Sequence, residues 1–350
     1  MRRTAPFVIA GIVLAATSAA AQDEGRRIVL RDVIRTLRPG AYQGRNTGPE
    51  QTERFSRKVK IGRDGRFTLS NISGDITITA AAGDEVSIDA VKRTRGDRSE
   101  LARVQITVDE RGGRVDVRTE HEQNRRDRDG RSDHVSVDYT VAVPASAAVD
   151  LHSISGTIKA SGIHGSLRSE TISGDVTITD APRLEVAKTV SGNVSLTGIT
   201  TDGDLTASSV SGNVRAKGLK ARGLELGIIS GDISVSDVTC DRLNVKSVSG
   251  SVEYSGGIAK GGRYEINAHS GTVRLLLANP SGFELNANSF SGSIRSELPL
   301  TIGGDSARRN DGPRGRRDLV NNHSMRATFG DGSATLVVRT FSGDIIIARR

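Results

Sequence analysis

Residues 171–180 read TISGDVTITD and residues 189–198 read TVSGNVSLTG. The shared phrase is a β-branched residue, then Ser-Gly, then Asp or Asn, then an alternating apolar run. The serines of this phrase recur at 73, 155, 173, 191, 211, 230, 249, 270, 291 and 342, and from 155 to 291 the steps are 18, 18, 20, 19, 19, 21 and 21 residues. A fixed period of this size marks a repeat architecture. After each corner the apolar residues alternate, as at Val176 and Ile178, Val194 and Leu196, Ile233 and Val235, Val273 and Leu275. A second alternating segment precedes the next corner, as at Leu184 and Val186, Leu224 and Leu226, Leu243 and Val245, Phe283 and Leu285. Period-two alternation is the signature of half-buried strands. The unit therefore reads strand, turn, strand, corner.

A unit of this length cannot bury its own apolar face, and stacking copies solves the problem. The reading is an all-β fold: a single-stranded parallel β-solenoid (β-helix) with coils of about 18–21 residues, preceded by a less regular β region. An antiparallel meander of hairpins competes with it, but hairpins do not require one corner sequence at every second turn. At the corner, Gly74, Gly156, Gly174, Gly192, Gly212, Gly231, Gly250, Gly271, Gly292 and Gly343 read as structural turn residues with positive φ. The neighbouring Asp or Asn is expected to hold the turn through a backbone N–H, and the stacked serine hydroxyls to form a hydrogen-bonded ladder. A calcium roll is disfavoured. The position after Gly is Asp75, Thr157, Asp175, Asn193, Asn213, Asp232, Ser251, Thr272, Ser293 and Asp344, too few carboxylates for a hard cation.

Around the repeat, residues 1–21 read as a signal peptide, with Arg2 and Arg3, an apolar run from Phe7 to Ala16, and Ala19-Ala20-Ala21 before Gln22. Residues 22–52 read as a flexible leader, in which Ile28 to Leu37 has the spacing of one short amphipathic helix. Residues 53–150 read as an N-terminal irregular β region capping the solenoid, and residues 151–350 as solenoid repeats with an Arg-rich insertion at 302–317. No later run is apolar enough for a membrane helix, so no transmembrane segment is expected in the mature chain. The expectation is export to the periplasm, the cell surface or the medium. The single cysteine, Cys240, excludes an internal disulfide and a thiolate metal cluster.

The signal-like start, the β region ending in VDYTVAVP (137–144), the run of Ser-Gly-Asp/Asn corners and the closing GDGSATLVVRTFSGDIII (330–347) resemble the bacterial putative-adhesin family of β-strand-repeat proteins of unknown function. The resemblance covers roughly residues 55–350, and the loop at 302–317 looks like an insertion within it. It implies a β-solenoid in the envelope or outside the cell, and it supplies no catalytic residue.

The formal net charge is +8. A basic exported protein is suited to anionic cell-surface polysaccharide or lipopolysaccharide, and the candidate contacts are Arg308, Arg309, Arg314, Arg316 and Arg317. A second polar Arg-rich loop spans 121–134. Aromatics make up 3% with no Trp, which argues against nucleic acid and against the usual carbohydrate platforms. No catalytic, cofactor or metal residue is assigned. His121, His134, His152, His164, His269 and His323 lack metal-ligand spacing, although His269 stands where other corners carry Val or Ile. Arg95-Gly96-Asp97 spells an attachment tripeptide expected by chance in so Arg- and Gly-rich a chain. The sequence thus reads as a non-enzymatic adhesin-like or envelope scaffold protein. The alternative is a polysaccharide lyase or hydrolase on a β-helix, disfavoured because Glu170, Asp180, Glu185, Lys188 and Arg215 are scattered.

Overall fold

The structure, a computed structural model, describes residues 49–121, 135–278, 280, 282–302 and 323–350. The expected signal peptide, most of the leader and nearly all of both Arg-rich loops lie outside the described residues. The chain divides into two compact units, Met1–Arg45 and Asn46–Arg350, and only the second is described here. Its secondary structure is strand throughout, apart from one short helix, Arg98–Ala102, among the described residues.

Strands that follow a corner join one sheet and strands that precede a corner join another. In the post-corner sheet Ile158–Ser161, Val176–Thr179, Val194–Thr197 and Val214–Lys217 pair in parallel, with Val176 opposite Ile158 and Val194. In the pre-corner sheet Ala148–Ser155, Leu167–Ser173, Leu184–Ser191 and Asp204–Ser211 do the same. The long strand Ile233–Ser249 takes part in both. The register matches the repeat: Ser173 lies opposite Ser155 and Ser191, and Ser230 opposite Ser211 and Ser249.

The all-β expectation holds, but the sheets are mixed rather than parallel throughout. Near the first coil, Gln51–Lys60 pairs antiparallel with Glu85–Thr94, and that strand pairs antiparallel with Ser136–Pro144. Val104–Arg111 and Arg114–His121 form an antiparallel pair in the other sheet. Toward the opposite end Phe283–Ser291 pairs antiparallel with Ser324–Phe329, which also takes Thr301–Ile302. Only Val104–Arg111 and Arg114–His121 among these are joined by a two-residue turn, which antiparallel pairing permits and parallel pairing does not.

Stack order also departs from chain order. The coil Arg66–Ser73 and Ile76–Ala81 lies directly on the coil Ala148–Ser155 and Ile158–Ser161. The last coil, Ala334–Ser342 and Ile345–Arg349, sits between Arg263–Ser270 with Val273–Leu277 on one side and Phe283–Ser291 with Ile294–Ser296 on the other.

The core is a continuous aliphatic column. Val176, Ile178, Val194 and Leu196 face Leu151, Leu167, Leu184 and Ala187 across it, all buried. A third line of buried apolar side chains comes from the turn between the two strands: Ile163, Ala181, Ile199, Leu219, Val238 and Ile258. Each buried Val, Ile or Leu contributes on the order of 1.5–3 kcal/mol, so every coil helps to stabilise the next. Val186 is an exception to the expected inward set. A register shift beside Leu167 turns Ala187 inward and leaves Val186 half-buried.

Candidate functional site

The corner is a ladder of backbone contacts. Gly174 has φ +143° and Gly192 has φ +145°, a region that a side chain opposes. The closer constraint is steric. A Cβ on Gly174 would overlap the carbonyl oxygen of Gly156 and lie 2.6 Å from its carbonyl carbon. One on Gly192 would meet Gly174 in the same way. Nine of the ten corner glycines pack the α-carbon against the carbonyl of a neighbouring corner glycine in this way, and Gly74 packs against Val137. The coil spacing leaves no room for a methyl group.

The residue after the glycine holds the next coil rather than its own turn. Asp175 Oδ1 accepts the backbone N–H of Asn193 at 2.7 Å, Asn193 Oδ1 accepts that of Asn213 at 3.0 Å, and Asn213 Oδ1 accepts that of Asp232 at 2.9 Å. Asp232 does the same for Ser251 at 2.8 Å, and Asp344 for Ser293 at 2.8 Å. Only one acceptor oxygen is needed, so Asp and Asn interchange freely. Asp138, in the strand Ser136–Pro144, adds a rung by accepting the Asp75 N–H at 3.0 Å. The Asp344 carboxyl is held below its ordinary value by the Ser293 backbone N–H and then by the Ser293 hydroxyl.

The expected ladder of corner-serine hydroxyls is corrected. Those serines are mostly exposed, and none makes a side-chain hydrogen bond among the described residues. The hydroxyls that matter lie two residues earlier and point inward. Thr189 Oγ1 donates to the Gly174 carbonyl at 2.9 Å, Ser209 Oγ to Gly192 at 2.9 Å, and Ser289 Oγ to Gly343 at 3.1 Å. In the first corner Asn71 replaces the hydroxyl, its Nδ2 donating to Val137 O at 2.8 Å and Gly74 O at 3.0 Å.

With Thr171, Thr189 and Ser209 turned inward, strand alternation sends the next residue outward. Ile154, Ile172, Val190, Val210, Ile229 and Val248, followed by His269, Phe341 and Phe290 in stack order, form one row on the outer face of the pre-corner sheet. The apolar members range from 41% exposed at Val210 to 73% at Phe290. At the aromatic end the rings stack. His269 and Phe341 are 4.9 Å apart with planes at 12°, and Phe341 and Phe290 are 4.8 Å apart at 5°. His269 thus belongs to an exposed ring stack, which explains its place in the corner phrase. At the aliphatic end a groove of about 530 Å³ runs beside Ile72, Ile154, Ile172, Val190 and Val210, opposite His152 and Lys188. The row could have been found from alternation parity, since a buried Thr before the β-branched residue forces that residue out.

The remaining sequence candidates do not converge. Arg308, Arg309, Arg314, Arg316 and Arg317 lie outside the described residues. Glu185 pairs with Arg168 at 2.7 Å, and Glu170 lies near His152 on the outer face of the pre-corner sheet. Asp180, with φ +49°, sits in a turn, and Arg215 belongs to the post-corner sheet. Arg95-Gly96-Asp97 leads into the short helix, with Asp97 as its N-cap. Cys240 is buried, its thiol pushed up to about 12 by burial and then by Asp241, so it is no nucleophile. Tyr264 Oη donates to the Cys240 carbonyl at 2.6 Å, a core contact. Among the described residues no three His, Cys, Asp or Glu side chains are placed to hold a metal ion.

Residues 65–348 match the family described as Toastrack DUF4097. The chain belongs to this family. No curated protein matches it. Among solved structures it is similar to a putative adhesin from Bacteroides fragilis, at 12% identity and TM-score 0.36, covering 85% of this chain and 97% of that one. It is likewise similar to a putative adhesin from Parabacteroides distasonis, at 12% identity and TM-score 0.36, covering 87% and 98%. A third is a putative lipid binding protein from the same species, at 13% identity and TM-score 0.34, covering 85% and 96%.

Proposed function

We propose that this toastrack protein is an exported, non-enzymatic, adhesin-like or scaffold module of the cell envelope, a β-solenoid that works by presenting a surface. One observation carries the reading. The most distinctive exposed feature is a row of apolar side chains repeated coil after coil, and the ionisable side chains around it are paired or dispersed. A face of this kind suits contact with an extended partner, whereas catalysis requires groups brought to one point. Within this reading Arg308, Arg309, Arg314, Arg316 and Arg317 supply a second, electrostatic contact with anionic cell-surface polysaccharide or lipopolysaccharide. The test is retention on immobilised lipopolysaccharide, comparing the intact chain with one in which residues 303–322 are replaced by a short Gly-Ser linker. Retention at low salt, lost at high salt and lost with the insertion, is the expected result. An intact chain that flows through at low salt refutes the anionic contact. Turnover of an acidic glycan, abolished by one carboxylate substitution, refutes the non-enzymatic reading.

A further inference from the structure

We propose that the outer face of the pre-corner sheet is a self-association surface, on which a second copy of this chain docks with its coils in the opposite order. This deepens the reading of the protein as a surface-presenting module. Single exposed aliphatic residues are ordinary on any protein, but a contiguous row of them marks an interaction surface.

Three features of the row select a second copy as the occupant. The first is pitch. The row advances by one strand per member, about 4.8 Å each and roughly 38 Å over its length. A surface with the same advance is found on another copy of the same ladder.

The second is self-complementarity about a centre. Among the exposed members Ile229 has Ile154, Ile172, Val190 and Val210 on one side and Val248, His269, Phe341 and Phe290 on the other, with the half-buried Ile72 one strand beyond Ile154. Reversing the coil order about Ile229 lays the protruding rings of Phe290 and Phe341 over Ile154 and Ile172, which line the groove of about 530 Å³. Two protruding aromatic side chains thus meet an apolar depression on the same face. The adjoining outward row follows the same symmetry. Its central member is Gly227, which allows close approach there, and Glu170 comes opposite Arg339 of the second copy, while in the next row Glu225, held by Lys246 at 3.2 Å, comes opposite its own counterpart.

The third is extent. Three outward rows about 6.8 Å apart along the strand make a face of roughly 38 by 20 Å. That is close to the ~800 Å² that each partner contributes to a stable interface. A lipid bilayer fits less well, because Asp150, Glu170, Glu225 and Glu265 share this face with Lys188, Lys246 and Arg339. Burial of such charges in hydrocarbon is unfavourable, and their mixed signs give no attraction to anionic headgroups.

The test is the mass of the intact chain in solution by light scattering after size exclusion, at several concentrations and with three variants. The wild type is expected to be dimeric and Ile229→Glu monomeric, with an unchanged far-UV circular dichroism spectrum, because the site is on the surface; the wild-type thermal midpoint should rise with concentration and that of the variant should not. That variant sets two carboxylates against each other at the centre and should weaken association at least tenfold. Cross-linking fixes the geometry, since Cys240 is buried and silent. Under oxidation Ile229→Cys alone should give covalent dimers, while Ile172→Cys should do so only when mixed with Phe341→Cys. A wild type that is monomeric at all concentrations overturns the proposal. So does a dimer unaffected by Ile229→Glu, or a cross-linking pattern in which Ile172→Cys pairs with itself. A monomer that floats with vesicles of neutral phospholipid, and loses flotation in Ile229→Glu, assigns the face to lipid instead and leaves the surface-presenting reading intact.

Discussion

Replacing Gly192 by Ala isolates what the corner glycine contributes. Two costs add at this position. The backbone is held at φ +145°, where a side chain costs about 1–3 kcal/mol. The new Cβ would also lie 2.6 Å from the Gly174 carbonyl carbon, so the two coils must separate locally. Separation loosens the Asn193 N–H contact with Asp175 at 2.7 Å and the Gly174 N–H contact with Ser191 O at 2.8 Å. Each hydrogen bond contributes about 1 kcal/mol net, giving a total loss of about 3–5 kcal/mol. Gly198 is the control. It has φ +65° and nothing within 4 Å of the added carbon, so Gly198→Ala should cost only about 1–2 kcal/mol. The assay is urea unfolding followed by far-UV circular dichroism, with stability read from the midpoint at constant slope. If Gly192→Ala loses no more than Gly198→Ala, close packing between coils is not the reason for the glycine.

Two further expectations follow from the ladder. Thr189→Val keeps the shape of the side chain but leaves the Gly174 carbonyl without its 2.9 Å donor, and should lower stability by about 1–2 kcal/mol in the same assay. Asp344→Asn retains the acceptor oxygen while removing the charge. The folded-state value of Asp344 is depressed from the ordinary 3.8, so its contribution is fully present above that value and is lost as pH falls through the lower folded value. The stability difference between wild type and Asp344→Asn should therefore be constant at neutral pH and shift against the wild type in acid. A difference independent of pH from neutrality down to about pH 2 would contradict the assignment.

The repeat and its strands were legible because the corner spacing and the alternation around it record one local geometry many times over. Val176, Ile178, Val194 and Leu196 could be turned inward from period two alone. What the spacing cannot encode is which coil lies next to which. Every coil has the same pitch and the same inward pattern, so nothing near Ala334 in the sequence shows that this strand separates Arg263–Ser270 from Phe283–Ser291. The candidate site was hidden for a different reason. Read as one phrase, Thr-Ile-Ser-Gly-Asp merges an inward Thr, an outward Ile and a turn. The hydroxyl ladder was assigned to Ser173 instead of Thr171 or Thr189 through the same merging. A strict alternation count from Leu226 and Ile228 already places Ile229 outside.

The place of the last coil has a consequence for how the chain is made. Residues 334–349 are made after residues 263–296, yet they occupy a slot between those earlier coils. The stack therefore cannot close by adding each coil to the previous one as it is synthesised. The strand Phe283–Ser291 has to wait, with one edge unpaired, until Ala334–Ser342 wedges in beside it. The C-terminal segment acts as a keystone, and a chain that stops short of Ala334 would expose two sheet edges at once.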